Sequence, residues 1–134
     1  MIRKGIYILA MQLVGERNIT VGRLGTFNFP SGYYIYVGSA MSGFAGRINR
    51  HLKRKKRMRW HIDYFLEVAD LLWVDLYETE DTTDECRLCA QVAQLKGAAI
   101  IADRFGASDC RCKSHLYYFE NLPPFRPKLS PKDS

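Results

Sequence analysis

Five side chains along the sequence have the chemistry that phosphodiester hydrolysis requires. They are Tyr7 and Tyr36 in strand-like segments, Arg47 and His51 in a helical segment, and Glu85 further on. A hydroxyl or an imidazole can accept a proton from water, and a guanidinium can neutralise the charge that develops on phosphoryl oxygens. A carboxylate can bind a divalent cation that polarises the phosphate. These residue types therefore favour hydrolysis of a phosphodiester.

Most of these side chains also have a structural explanation. Tyrosine favours strands in general, and His51 could complete the half-buried face of its helix. Thr82 and Glu85 have the spacing of a capping box, in which the glutamate caps the start of a helix. Arg47 is the exception, because no acidic residue lies within one helical turn of it to form an ion pair.

The positive charge of the chain is concentrated from Arg47 onwards. The net charge is +6, and eight of the 20 basic residues lie between positions 47 and 59, where there is no acidic residue. The rest of the chain carries 12 basic and 14 acidic residues. Such a cluster attracts a polyanion, most commonly nucleic acid, and the alternative is a solvated helix face. The residues expected to contact nucleic acid are Arg50, Lys53, Arg54, Lys55 and Arg57.

Four cysteines and a histidine form a second group with ligand chemistry. Cys86-x-x-Cys89 and Cys110-x-Cys112-x-x-His115 could together supply the ligands of one tetrahedral zinc. Two alternatives stand beside zinc. The cysteines of the helical segment could be small core residues, and Cys86 could form a disulfide with Cys110 or a similar partner. We favour core packing and keep structural zinc as the second interpretation.

The strands that position the two tyrosines have recognisable patterns. Residues 4–13 are apolar on both alternations, as in a strand that is covered on both faces. The run "ITVGRLG" indicates a weaker strand, so residues 5–25 are predicted to form a hairpin. The run "TFNFPSG" is predicted to be a turn-rich connection, and residues 33–38 are predicted to be the next strand.

Helices and strands are mixed in the rest of the chain. Ser42 is the expected N-cap of a helix over 43–56, with Phe44, Ile48 and Leu52 as its core stripe. Helical spacing over 59–70 is followed by a strand at 71–79, a helix from Thr82 to about Lys96 and a last strand at 115–120. This mixture predicts an α+β fold in a single domain over 1–120. Residues 121–134, rich in Pro, Lys and Ser, are predicted to be a flexible tail.

Length and hydropathy set broad limits on the class of protein. The chain has 134 residues, of which 47% are hydrophobic, enough for one core. It has no run of about 18 apolar residues, and its first residues lack the apolar stretch of a signal peptide. We therefore expect a cytoplasmic protein without a membrane partner.

Short motifs in the sequence resemble those of a nuclease family. Gly5-Ile6-Tyr7 and Tyr36-Val37-Gly38 resemble the two signatures of the GIY-YIG nuclease superfamily, and Phe44-x-x-Arg47 is similar to its Leu-x-x-Arg motif. The runs "FPSGYYIYVGSAMSGFAGRINRHL", "RWHIDYFL" and "SDCRCKSHLYYF" are similar to an archaeal-type branch catalogued as domain of unknown function 123 (DUF123). The resemblance implies a small, mostly antiparallel sheet flanked by helices, with a C-terminal extension. The long spacing between the two tyrosines implies an extra hairpin strand.

The same resemblance implies roles for the side chains named above. It gives catalytic roles to Tyr7, Tyr36, Arg47 and His51, and it makes Glu85 the ligand of one Mg²⁺ or Mn²⁺. Domains of this branch are sometimes attached to an endonuclease III-like repair glycosylase, which implies a DNA-repair partner. We therefore predict a metal-dependent endonuclease that acts on nucleic acid, favouring DNA, with Tyr7 as the general base. The alternatives are a non-catalytic nucleic-acid-binding module on the same fold and a zinc-stabilised interaction domain.

Overall fold

A central strand that is apolar on both faces organises the protein. The computed structural model describes residues 4–41, 43–52, 60–107 and 112–124. In chain order, its strands and helices are β1 (Gly5–Leu13), β2 (Arg17–Val21), β3 (Gly25–Phe29), β4 (Gly32–Ala40), α1 (Phe44–Leu52), α2 (His61–Leu66), β5 (Asp70–Glu78), α3 (Asp84–Ala93) and β6 (Leu116–Phe119).

The main sheet has four strands in the order β5-β1-β4-β6. All three pairings are antiparallel. β1 is buried on both faces, which explains why its sequence is apolar on both alternations. The predicted α+β class, with a small antiparallel sheet flanked by helices, is confirmed.

The two faces of this sheet are covered by different helices, because successive strand side chains point to opposite sides. On the face that we call the tyrosine face, Tyr7 packs in one cluster with Phe44 of α1 and Phe65 of α2. On the other face, which we call the α3 face, Ile8 packs in a second cluster with Leu88 of α3. The helix after the second tyrosine signature therefore covers the tyrosines themselves.

The hairpin predicted over residues 5–25 is wrong. β1 pairs with β4 on one side and with β5 on the other, so neither edge of β1 is left for β2. β2 instead pairs with β3 in a separate two-stranded sheet, and the run "TFNFPSG", predicted to be a connection, supplies β3. Phe27 and Phe29 alternate inwards from β3 and join the core of the tyrosine face. An extra hairpin does lie between the two tyrosines, as their long spacing implied.

The predicted helix over 43–56 is observed as α1, but its core stripe differs from the prediction. Ser42 and residues 53–56 lie outside the described residues. Phe44 and His51 are buried, whereas Leu52 is 61% exposed, so its predicted core role is wrong. Each residue of a helix adds about 100° of rotation. His51, seven positions after Phe44, therefore points within about 20° of the direction of Phe44, whereas Leu52 points about 80° away from it. The buried stripe therefore ends at His51.

The start of α3 also differs from the prediction. Thr83 is its N-cap and makes no side-chain capping bond, so the predicted capping box of Thr82 and Glu85 is wrong. Glu85 is the second residue of the helix, one position short of the box. Asp81 shapes the preceding turn instead, because its carboxylate accepts the Thr83 N–H at 2.9 Å. The carboxylate of Glu85 is therefore available for another role.

The remaining predictions of secondary structure hold with small shifts. The strands predicted at 71–79 and 115–120 are β5 and β6, each within one residue of the predicted ends. The helices α2 and α3 are shorter than the patterns indicated. Of the predicted tail, residues 125–134 lie outside the described residues. None of the described helices is long and apolar enough to cross a membrane.

Candidate active site

The two signature tyrosines lie on neighbouring strands and on one face of the sheet. In the antiparallel register, Tyr7 of β1 lies opposite Gly38 of β4, and Leu9 lies opposite Tyr36. Because these two pairs are two positions apart, both tyrosine side chains point to the same side. Their ring centroids are 6.3 Å apart. Both belong to the buried cluster that Phe44 of α1 also joins.

The glycines of the two signatures are explained by close packing. A Cβ on Gly38 would lie 2.4 Å from Tyr7 Cζ and 2.5 Å from the Tyr7 hydroxyl oxygen. A Cβ on Gly5 would lie 2.0 Å from the backbone oxygen of Tyr77 on β5. Gly38 therefore leaves room for the Tyr7 ring, and Gly5 allows β5 to approach β1.

His51 is brought directly to the hydroxyl of Tyr7. The Tyr7 oxygen lies 2.7 Å from His51 Nε2, a hydrogen bond that is buried and joins residues 44 positions apart. The two ring centroids are 5.2 Å apart. The half-buried face expected for His51 is in fact a buried contact with the tyrosine site.

Arg47 is held against an aromatic ring that precedes α2. Its guanidinium carbon lies 3.9 Å from the centroid of the Trp60 ring, a cation–π contact. Arg50 lies over the same ring at 4.5 Å. Burial raises the pKa of the Tyr7 and Tyr36 hydroxyls, and the positive charge of Arg47 offsets part of that rise at each of them. Arg47 is therefore a member of the tyrosine site.

A buried carboxylate beneath this stack was missed from the sequence. Asp63 is fully buried, and its carboxylate accepts a hydrogen bond from Arg50 at 2.5 Å. It also accepts the backbone N–H of Trp60 at 2.9 Å. Asp63 is the first acidic residue after the basic stretch, and that was the available signal. Asp63 thus holds Trp60 and Arg50 beside Arg47.

Burial keeps both tyrosine hydroxyls in their neutral form. Removal from water raises the pKa of Tyr7 well above its usual value, and the charge of Arg47 offsets only some of this effect. Burial raises the pKa of Tyr36 in the same way, and the neighbouring Tyr7 raises it further. At neutral pH, both hydroxyls can therefore donate a hydrogen bond.

Glu85 lies at the start of α3, which packs on the opposite face, but its charge reaches the tyrosine site. The negative charge of Glu85 raises the pKa of both Tyr7 and Tyr36. One carboxylate oxygen lies 3.3 Å from Nδ1 of His115, and the side chain is 22% exposed. A half-buried carboxylate at this place is chemically suited to a divalent cation.

The cysteines do not behave as one group. Cys86, Cys112 and His115 place their ligand atoms within 4.8 Å of one another. Cys89 is buried in the core of the α3 face instead, as the core-packing alternative predicted. None of the three described cysteines is in a disulfide. Cys110 lies outside the described residues.

The residues predicted to bind nucleic acid are described only at their beginning. Arg50 is the described member, and it is held by Asp63 and Trp60. The others, Lys53, Arg54, Lys55 and Arg57, lie outside the described residues. Their contact with nucleic acid remains a prediction from the charge of the sequence.

Comparison with known proteins supplies the family. The family described as "Domain of unknown function DUF123" matches residues 6–130. The chain belongs to this family. No curated protein and no solved structure matches it. The residues matched in this DUF123 chain include Tyr7, the second tyrosine signature, the Arg47 helix and the cysteine cluster.

Proposed function

We propose that this DUF123 protein hydrolyses phosphodiester bonds of nucleic acid, preferably DNA, with the help of one divalent cation. The observation that carries the proposal is the convergence of Tyr7, His51 and Arg47. The Tyr7 hydroxyl bonds His51 Nε2 at 2.7 Å, and the charge of Arg47 acts on the same hydroxyl. A buried tyrosine that served only to pack a strand would still need one hydrogen-bond partner, which His51 supplies, but it would not need the charge of a guanidinium as well.

The Tyr7–His51 pair would accept the proton of the attacking water. Because burial disfavours a phenolate, Tyr7 would act as a relay rather than as a preformed base. Its oxygen would take the water proton while its own proton passes to His51 Nε2. The oxygen of the water would then attack phosphorus, the bond from phosphorus to the leaving oxygen would break, and the leaving oxygen would take up a proton from solvent.

Arg47 would neutralise the charge that develops on the phosphoryl oxygens. Its stacking on Trp60 uses the flat face of the guanidinium. The N–H donors of a guanidinium lie in its plane, where they match phosphate geometry. Trp60 would thus orient Arg47. Asp63 would in turn hold Trp60, because its carboxylate accepts the Trp60 backbone N–H at 2.9 Å.

Glu85 is the residue that would hold the divalent cation. Mg²⁺ is commonly bound by one or two carboxylates together with substrate phosphates and water, so a single half-buried carboxylate fits it. When bound, such a cation polarises the phosphate and favours departure of the leaving oxygen. Contact with His115 Nδ1 would orient the Glu85 carboxylate towards this role.

The basic stretch at positions 47–59 would bind the backbone of the substrate. Eight positive charges without an acidic neighbour suit a polyanion. DNA is preferred over RNA because domains that this chain resembles are found beside a DNA-repair glycosylase. Association with such a glycosylase is likewise a proposal.

Cleavage assays test the proposal with the full chain, Mg²⁺ or Mn²⁺, and a panel of single-stranded, duplex and branched DNA and RNA. Tyr7→Phe should lower the cleavage rate by about 100-fold or more, because the proton relay is lost. Its matched control is Tyr34→Phe on the same face, whose hydroxyl bonds the Pro30 carbonyl at 2.5 Å instead. Equal rates in the two variants would contradict the proposed role of Tyr7.

Two further variants separate catalysis from binding. Glu85→Gln should retain folding and affinity for nucleic acid but lose metal-dependent cleavage, since it removes the charge that a cation requires. Arg47→Ala should lower the cleavage rate far more than it weakens binding, because its contact strengthens as charge develops. Metal-dependent cleavage that survived Glu85→Gln would show that the cation is bound elsewhere.

A non-catalytic nucleic-acid-binding module is the second candidate function. The observation that favours it is burial, because only 1% of Tyr7 and 6% of Tyr36 is exposed. A substrate phosphate must reach hydroxyls that are largely covered by their neighbours. If the parent protein binds nucleic acid but cleaves no member of the panel with either metal, this candidate replaces the nuclease.

A further inference from the structure

We propose that Cys86, Cys112 and His115 form a Zn²⁺ site that is separate from the catalytic cation at Glu85. Cys86 lies in the first turn of α3, and the other two residues lie on the segment that leads into β6. The fold thus brings Cys86 to Cys112 from 26 positions away in the sequence. The site does not depend on nuclease activity and would exist in a binding module as well.

The distances among the three donors are close to those of a tetrahedral zinc site. All three ligand atoms lie within 4.8 Å of one another, and the two sulfur atoms are 3.0 Å apart. With zinc–sulfur bonds of about 2.3 Å and zinc–nitrogen bonds of about 2.0 Å, tetrahedral ligands lie about 3.5–3.8 Å apart. Side-chain shifts of about 1 Å would therefore place these three donors at three of the four positions of a tetrahedral zinc.

The environment of His115 fixes which of its nitrogens can bind a metal. Nδ1 faces two acceptors, the Val37 backbone oxygen at 3.1 Å and a Glu85 carboxylate oxygen at 3.3 Å. Nδ1 therefore carries the proton, and Nε2 has the lone pair of a ligand. Metal-binding histidines typically donate their other N–H to a carboxylate or a backbone carbonyl in this way.

His115 is also held rigidly, as a metal ligand needs to be. It is 1% exposed, and its backbone N–H donates to the Phe105 carbonyl at 2.8 Å. Its backbone carbonyl accepts the Val37 N–H at 3.0 Å. Main-chain and side-chain bonds thus fix His115 against β4.

The charges favour a thiolate-preferring divalent ion. Each thiol would release its proton to solvent on binding, and two thiolates would then balance the two positive charges of Zn²⁺. A neutral site of this kind can lie half-buried without an unpaired charge. Sulfur ligands select zinc over Mg²⁺, which prefers oxygen, so the two proposed sites would not compete for one metal.

A metal here would tie α3 to the segment before β6. Cys86 directly follows Glu85 in α3, and His115 contacts the Glu85 carboxylate. Zinc would therefore hold Glu85 in position from two sides, through the helix and through His115. His115 would act on Glu85 as a positioning residue.

The test is the metal content of the full chain, purified without chelators and analysed for zinc and iron. We expect about one zinc per chain, lost in Cys86→Ser and in Cys112→Ser. Cys89→Ala is the matched control, since it removes a cysteine of the same helix whose side chain packs in the core. That variant should keep its zinc.

Cobalt substitution gives a second readout, and its decisive measurement uses the parent protein alone. Co²⁺ added to metal-free parent protein should produce thiolate-to-cobalt charge-transfer absorption, and the Cys89→Ala protein should show the same bands. Parent protein without zinc and without these bands would overturn the proposal. So would a Cys86–Cys112 disulfide in the unreduced parent protein, detected by peptide mass spectrometry, or stoichiometric iron in place of zinc.

Discussion

Replacing Gly38 by alanine tests how the second tyrosine signature builds the site. The added Cβ would lie 2.4 Å from Tyr7 Cζ, 2.5 Å from the Tyr7 oxygen and 2.9 Å from Tyr36 Cε2. Ordinary contacts of a Cβ begin at 3.4 Å, so the Tyr7 ring would have to move by about 1 Å. A shift of that size is enough to break the 2.7 Å bond to His51.

The expected cost can be estimated from this overlap. Inserting a methyl group into a well-packed core costs about 1–3 kcal/mol, and a displacement of 1 Å at a reacting group costs about 100-fold in rate. For a chain of this size, Tm should fall by about 4 °C for each kcal/mol. Gly38→Ala should therefore lower Tm by about 4–12 °C and reduce cleavage by about 100-fold.

Thermal unfolding followed by circular dichroism measures the first effect, and initial cleavage rates measure the second. Gly46→Ala is the matched control, because Gly46 lies within α1 and a Cβ there would meet nothing within 4 Å. That change should stabilise the helix by about 0.5–1 kcal/mol. A Gly38→Ala protein as stable and active as the parent would refute the tight contact between Gly38 and Tyr7.

Two further predictions rest on the structure, and a third rests on the charge of the sequence. The free energy of unfolding should fall as pH rises above about 10, because burial keeps Tyr7 and Tyr36 neutral in the folded protein while the unfolded chain ionises them. The expected loss is about 1.4 kcal/mol per pH unit for each tyrosine, measured by urea unfolding. Tyr7→Phe should make this dependence on pH less steep. Asp63→Asn should lower the free energy of unfolding by about 3 kcal/mol in thermal unfolding, because it breaks a buried ion pair with Arg50. The control Asp75→Asn, at a half-buried site, should change the free energy of unfolding by less than about 0.5 kcal/mol. Binding of duplex DNA should weaken with salt at a log–log slope of about −5 if about six phosphates are neutralised. Replacing both Arg54 and Arg57 by alanine should flatten that slope by up to about two. A salt-independent affinity would contradict phosphate binding by the basic stretch.

Local sequence pattern was sufficient for the elements that carry the site. The apolar run of β1 indicates a strand buried on both faces, and the spacing of Phe44, Ile48 and Leu52 indicates a helix, although Leu52 is exposed in the structure. These patterns reflect the two-residue period of a strand and the 3.6-residue period of a helix, which depend on neighbouring residues only. The two tyrosines could therefore be assigned to a first and a later strand, and the arginine and histidine to the next helix, before any contact was known.

The contacts between those elements required the tertiary structure. β2 pairs with β3 rather than with β1 because β4 and β5 already occupy both edges of β1, and no local pattern reports which edges are filled. Trp60 beneath Arg47, and Cys112 beside Cys86, are likewise contacts between distant positions. The sequence shows which side chains could do chemistry. Their positions next to one another depend on long-range strand pairing and on which helices pack on each face of the sheet.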